Sequence, residues 1–193
     1  MILLLGCAPE LPPLPERAEA RELRVESTDG AYVVALSQAS APSAGGVATA
    51  SSTEATRREE GKPPLAIRSS ASTWDLKNKR ARFEGQVVVT RGDVTMRCDE
   101  LDVTYGSGDA VDTVVATGHV EVDKGTRTAR AAAAELVGAT GRITLTGSPR
   151  LSDGPNELVG DTIVLWLDDE RATCAGTAGA PCTLVVAGWA VGP

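Results

Sequence analysis

Aromatic residues are scarce in this chain of 193 residues: Tyr32, Trp74, Phe83, Tyr105, Trp166 and Trp189 are all it has. Its core must therefore come from aliphatic side chains, and the Val- and Thr-rich composition favours strands over helices. Histidine is reduced to His119, and no two cysteines stand in a CxxC arrangement. Zinc has no ligand set here. Excess positive charge is also missing, since the net charge is -7 and the basic residues are scattered singly among acids. A phosphate-binding face needs clustered Lys and Arg, so nucleic acid is excluded as a partner. No run approaches the roughly 18 apolar residues that span a bilayer. The chain also lacks a GxSxG elbow, a Cys/His pairing and a Gly-rich loop between strand and helix. Any nucleophile would have only a carboxylate as its base. The expectation is a protein that is not an enzyme and carries neither cofactor nor metal.

Seven of the eleven prolines fall within the first 64 residues, beside "SQASAPSAGGVATASSTEATRREEGKPP". Few large apolar side chains there offset the entropy of ordering. Residues 8–63 therefore read as a Pro/Ala/Ser-rich linker, mostly disordered, ahead of a folded domain over 64–190. Within the linker, "ELRVESTDGAYVVALSQ" at 22–38 either forms one added hairpin or stays unordered.

The start, "MILLLGCAPELPP", is an apolar burst followed by Gly6-Cys7. "Leu-Leu-Gly-Cys" resembles the lipobox of bacterial lipoproteins, which implies lipidation at Cys7 and a truncated signal over 1–7. The four apolar residues Ile2–Leu5 fall short of a usual h-region of roughly 7 to 15. Ala8 after the Cys leans towards outer-membrane sorting, by analogy with lipoproteins. With Cys7 set aside, Cys98, Cys174 and Cys182 remain. Cys174 and Cys182 flank the turn-rich "AGTAGAP", where they either close a disulfide in an oxidising compartment or stay as two reduced small hydrophobes. Cys98 shares the phase of Val94 and Met96 and reads as a buried thiol.

The strongest signal is a repeat. "KRARFEG", "DTVVATG", "GRITLTG" and "ERATCAG" end at Gly85, Gly118, Gly147 and Gly176, with spacings of 33, 29 and 29. A strand and a turn follow each of the first three glycines, and a strand that bends back precedes each of the four. Each repeat thus reads as about four short strands, with Gly92-Asp93, Lys124-Gly125, Asp153-Gly154, Gly138 and Gly141 supplying turns of positive φ. The Ala-rich "RTARAAAAELV" at 127–137 has helical propensity, yet it matches "VTMRCDELDVTY" in the repeat and reads as strand. Arg91-Gly92-Asp93, outwardly an adhesion tripeptide, falls where "DKG" and "SDG" also turn and reads as a corner.

Alternation assigns the inward face. Its expected interior residues are Val87, Val89, Val94, Met96, Leu101, Val103, Val120, Val122, Ile143, Leu145, Leu151, Leu158, Ile163, Leu165 and Leu167. Their polar neighbours should face water, as in an antiparallel sheet wet on one side and folded over on itself.

The blocks "ARFEGQVVVTRGDVTMRCDEL", "VVATGHVEV" and "LTGSPRLSDGPNELVGDTIVLWLDD", in that order across about 65–176, resemble the OstA-like domain of the LptA type, the periplasmic lipopolysaccharide-transport family. The resemblance implies an all-β fold, an open and twisted β-jelly-roll whose apolar interior shields the acyl chains of lipopolysaccharide. It further implies edge-strand pairing with other OstA-like domains, in a bridge from an inner-membrane exporter to an outer-membrane assembly complex. The expected location is the periplasm, with a lipid anchor in the outer membrane. The competing reading is a structural lipoprotein β-domain that docks envelope partners and binds no lipid.

His119 lies on a strand's polar phase and reads as a surface residue. Asp99, Glu100 and Asp102 read as a solvated face rather than a cation site, because alternation sends them to different sides. Arg91, Arg97, Arg127 and Arg130 are candidates to meet the phosphates of a glycolipid headgroup at the rim.

Overall fold

A computed structural model describes residues 19–26, 32–40, 46–58, 61, 63–106, 111–166, 171–177, 179 and 181–187, with side-chain surroundings from residue 35 onward. Every regular element among them is a strand. In chain order these are β1 Glu19–Glu26, β2 Tyr32–Ser40, β3 Val47–Ala50, β4 Ser52–Arg57, β5 Leu65–Ser69, β6 Ala71–Asp75, β7 Arg80–Arg91 and β8 Val94–Tyr105, then β9 Val111–Lys124, β10 Arg127–Val137, β11 Arg142–Thr146, β12 Arg150–Asp153, β13 Asn156–Val159, β14 Thr162–Trp166, β15 Ala172–Ala175 and β16 Thr183–Val185. The Ala-rich 127–137 is strand β10, so pairing on both sides outweighs its intrinsic helical preference.

All pairings are antiparallel, along the path β1-β2-β4-β5-β7-β8-β9-β10-β11-β14-β15. The long strands β7 to β10 each belong to two leaves. The first half of β7 pairs with β6 and the second half with β5. On the other side of the sheet, β10 pairs with β12 at its start and β11 at its end. One leaf holds β3, β6, β11, β14 and β15, the other β1, β2, β4, β5, β12, β13 and β16, and β7 to β10 run through both. The result is an open sheet folded on itself, the fold class expected from the repeat.

The repeat glycines make that folding possible. Gly85, Gly118 and Gly147 have φ of 75, 74 and 77°, and the residue after each (Gln86 51°, His119 48°, Ser148 60°) is left-handed too. Two successive left-handed residues turn the chain from one leaf to the other, and the ladder slips register there, between Glu84 and Val87 on β7. Gly85 and Gly118 are therefore bends inside the long strands β7 and β9, where the sequence suggested boundaries between short ones, whereas Gly147 does fall between two short strands, β11 and β12. The hairpins lie where expected: Arg91 pairs with Val94, Lys124 with Arg127 and Asp153 with Asn156, each across a two-residue loop. The corner at Gly92 has φ 59°. Gly138 differs from its expectation, since its φ is not positive and it is glycine because a Cβ would overlap the Val111 carbonyl oxygen.

The linker expectation for 8–63 does not hold from Glu19 onward, since β1 to β4 lie between Glu19 and Arg57. The described residues of 22–38 belong to β1 and β2, which pair antiparallel from Glu19↔Ser40 to Glu26↔Val33. β4 then pairs with β5 and β3 with β6. Large apolar side chains are indeed few here, with Leu36, Ala39 and Ala50 forming a small separate core. What orders the segment is main-chain pairing onto an already formed edge, a contribution that side-chain composition does not report. Cys7 lies outside the described residues.

The bend geometry sets a stability contrast. A Cβ at Gly147 would overlap the Cβ of Ala132, whereas one at Gly125 (φ 59°) meets nothing within 4 Å. Gly125→Ala is expected to cost about 1 kcal/mol from the left-handed backbone alone. Gly147→Ala adds overpacking and is expected to cost about 3 kcal/mol. Urea midpoints of the two variants check this, and equal losses would show that the bend is not tight.

Candidate functional site

The strand registers line up apolar side chains in rows that cross the whole sheet. The deepest row runs Ala50, Ser72, Phe83, Leu101, Ala116, Ala134, Leu145, Ile163 and Cys174, each directly opposite the next. Its members from Phe83 to Ile163 are at most 6% exposed. Farther from the bend, the same leaf carries Trp74, Ala81, Val103, Val114, Leu136, Ile143 and Leu165. The other leaf answers with Ala55, Ile67, Val89, Met96, Val122, Ala129, Leu151, Leu158 and Leu184. Residues of both leaves join one hydrophobic cluster. Burial is complete at the bend and partial towards the strand tips, where Val89, Met96, Val122, Ile143, Leu151, Leu158 and Leu165 are half-buried. The two leaves pack on one another across an apolar slot whose floor is fully buried and whose rims are half-buried.

Of the interior residues expected from alternation, Val87, Leu101, Val103, Val120, Leu145 and Ile163 are buried in this cluster, and the seven half-buried residues just named line its walls. Val94 departs from expectation. It shares the inward phase but sits at a hairpin tip opposite Arg91 and Lys124, beyond the packed cluster. Leu167 lies outside the described residues. Sequence reasoning missed Trp74, Phe83 and the alanines 81, 116, 129 and 134 as interior residues. Their signal was present as the in-phase triplet Trp74, Ala81, Phe83 and the Ala run of β10, but alanine scores weakly in a hydrophobic pattern.

The outer face is charged and paired. Arg97 Nη1 lies 2.7 Å from Asp123, Arg130 Nε 2.6 Å from Glu121, Arg127 Nε 3.0 Å from Asp153, and Arg150 Nη1 2.6 Å from Glu157. The hydroxyl of Thr128 and then the Arg97 guanidinium hold the Asp123 carboxyl below the ordinary carboxylate range. Arg127 and then Thr126 do the same for Asp153. Arg97 and Arg130 therefore engage carboxylates on the outer face, while Arg127 and Asp153, in the phase of Ala129 and Leu151, pair with one another at the hairpin tips of the inner face. Arg82 draws in both Glu100 and Asp102, while Asp99 bonds the exposed His119, its Oδ2 2.7 Å from Nδ1. Glu100 and Asp102 share Arg82 while Asp99 takes His119, and no described residues form a group that could hold a metal.

The floor of the slot is tied at both ends. At the N-terminal end the hydroxyls of Thr53 on β4 and Ser72 on β6 meet at 2.5 Å, joining the two leaves. At the C-terminal end a disulfide joins Cys174 on β15 to Cys182 just before β16, again one leaf to the other. Gly160, between β13 and β14, lies beneath that disulfide, where any Cβ would overlap the Cys174 Sγ. Beyond it, Leu184, Val185 and Val186 are 65%, 52% and 45% exposed on β16 and its end, a strand paired on one side only.

A family model described as "LptA/(LptD N-terminal domain) LPS transport protein" matches residues 66–171. Among solved structures, LptH from Pseudomonas aeruginosa, described as the LptA-homologous periplasmic component of the lipopolysaccharide transport device, is similar with a TM-score of 0.59 and 15% identity, over 64% of this chain and 95% of that one. No curated protein matches.

Cys98, the free thiol at the floor, is inert by its surroundings. Burial, and secondarily the adjacent Asp99, push its pKa from 9.0 up to about 11. A raised folded-state pKa means that its share of stability is complete below pH 9.0 and is lost as pH rises towards 11. Cys98 in the native protein should resist iodoacetamide at neutral pH, read by mass spectrometry of its peptide. Its urea midpoint should fall across that alkaline window, and Cys98→Ala should remove this part of the fall. An unchanged alkaline profile in the variant would mean that Cys98 is not the group responsible.

Proposed function

Because the chain belongs to the LptA/LptD N-terminal-domain family of LPS transport proteins, we propose that it binds lipopolysaccharide between its two leaves and carries it across the periplasm towards the outer membrane. The half-buried walls support this reading. A row from Ile67 to Leu158 offers aliphatic and thioether contacts across seven strands without one polar interruption. Each methylene shielded there is worth about 0.8 kcal/mol, which holds an acyl chain without directed chemistry. In that row Ile67 and Ala129 are buried, while Val89, Met96, Val122, Leu151 and Leu158 stay half-buried and able to meet a guest.

Other OstA-like domains are the proposed partners, docking by strand addition on the C-terminal edge. There the row of the second leaf ends on exposed Leu184, so a partner strand would extend the same apolar track. In this way the chain would take its place in a bridge between an inner-membrane exporter and an outer-membrane assembly complex. Cys7 is the proposed lipid anchor, on the sequence pattern alone. The disulfide suits an oxidising compartment such as the periplasm.

Photocrosslinkers at Val89 and Leu165 test the slot. Adducts with purified lipopolysaccharide are expected at both, and crosslinks confined to the protein would overturn the reading. Val122→Glu should reduce retained lipopolysaccharide about tenfold or more, since tenfold is only about 1.4 kcal/mol and an unpaired carboxylate against acyl chains costs more. Its circular dichroism should stay that of a β-protein.

A further inference from the structure

We infer that the Cys174–Cys182 disulfide is a redox clasp on the C-terminal edge of the sheet. Formed, it keeps β16 as the outermost strand of its leaf; reduced, it releases β16 and leaves β13 as the edge on which another strand adds. The release of β16 stands on the contacts below, and the docking that follows from it rests on the strand-addition reading above.

β16 has little else to hold it. It is three residues long, Thr183–Val185, and all three are exposed. Its pairing is confined to Glu157↔Val185, Leu158↔Leu184 and Val159↔Thr183 on β13. One further bond runs from the Ala187 N–H to the Asn156 side-chain oxygen at 3.2 Å. Neither Leu184 nor Val185 joins the hydrophobic cluster, so no apolar burial backs the pairing. Main-chain bonds open to water are worth little each, and ordering the backbone costs at least as much per residue. A covalent bond at Cys182, the residue before the strand, removes much of the freedom that β16 would gain by leaving.

The other half of the clasp is fixed. Cys174 lies on β15, which pairs with β14 over four residues, and its side chain packs against the cluster. Gly160 backs its sulfur closely. Cys182 is exposed, so its sulfur is the one that an external dithiol reaches. A thiolate of that dithiol attacks the Cys182 Sγ, and Cys174 leaves as a thiolate that takes up a proton. The second sulfur of the dithiol then attacks the mixed disulfide and frees Cys182. Two electrons pass to the protein, which gains two thiols, and the dithiol ends as a disulfide. The edge uncovered by this step suits a partner strand, because Leu158 on β13 packs against the cluster and continues the apolar row from Leu151.

Hydrogen-exchange mass spectrometry of the full-length protein reads the clasp, first oxidised and then reduced with dithiothreitol at neutral pH. Exchange over 181–187 and 156–159 is expected to quicken about tenfold or more on reduction, with 111–137 unchanged. Cys174→Ser and Cys182→Ser together should give the same pattern without reductant. Unchanged exchange in both segments of protein shown by mass to be reduced overturns the clasp. A loss of protection that extends through 111–137 overturns it too, since the disulfide would then support the whole fold. For docking, a second copy of the chain is the partner and a photocrosslinker stands at Glu157 on β13. Adducts between copies are expected only after reduction, and equal adducts in both states overturn the change of edge. No adduct in either state, with β16 released, overturns docking by strand addition and leaves the clasp standing.

Discussion

Everything in this molecule depends on how a long antiparallel strand is made to change leaf without losing its partners. A β-strand of 11 to 14 residues left straight would extend one flat sheet, and its apolar face would lie open to water. The pairs Gly85-Gln86, Gly118-His119 and Gly147-Ser148 solve this with two left-handed residues in succession. The main chain stays paired through the corner, as where Ser70 N–H donates to the Gly85 carbonyl at 2.9 Å and Ala132 N–H to that of Gly147 at 3.3 Å. Phe83, Leu101, Leu145 and Ile163 line the inside of these corners, which is why they are the most completely buried large side chains.

Much of this was legible because the bend recurs. The glycine spacing marks the corners, and period-two alternation marks the inward face of β7, β8 and β9. What alternation could not convey was that Gly85 and Gly118 lie within strands, since a bend and a turn make the same local demand for positive φ. Val94 shows a second limit: phase tells which way a side chain points but not how far it stands from the core. The arginines show a third. Arg97 and Arg130 read as spare cations because their partners, Asp123 and Glu121, are 26 and 9 residues away and become neighbours only through strand register. The N-terminal strands were illegible for a related reason. Their composition is that of a linker, and the edge that orders them lies elsewhere in the chain.

The interior residues that were overlooked bear on how closely the leaves approach. In the deep row the central pair is Ala116 opposite Ala134, flanked by Leu101 on one side and Leu145 on the other. Ala129 and Ala131 repeat the pattern nearby on β10. Alanine keeps the strands apolar while contributing little volume, so the leucines beside it and the facing leaf supply the packing that buries this row.

The ties at the ends differ in kind, and the difference has mechanical meaning. A hydrogen bond between two hydroxyls can exchange partners at modest net cost, typically about 1 kcal/mol, yet the Thr53–Ser72 link lies buried under Trp74, where opening it leaves both groups unsatisfied. The Cys174–Cys182 disulfide is covalent but stands near the exposed edge strand β16. The covalent tie thus sits beside the strand whose Leu184 and Val185 are exposed, and the burial-dependent tie sits where β3 and β4 cover the edges of β6 and β5. A tie at an exposed strand cannot draw on burial and holds by its covalent bond, whereas a buried pair of hydroxyls is held by the cost of leaving either unsatisfied.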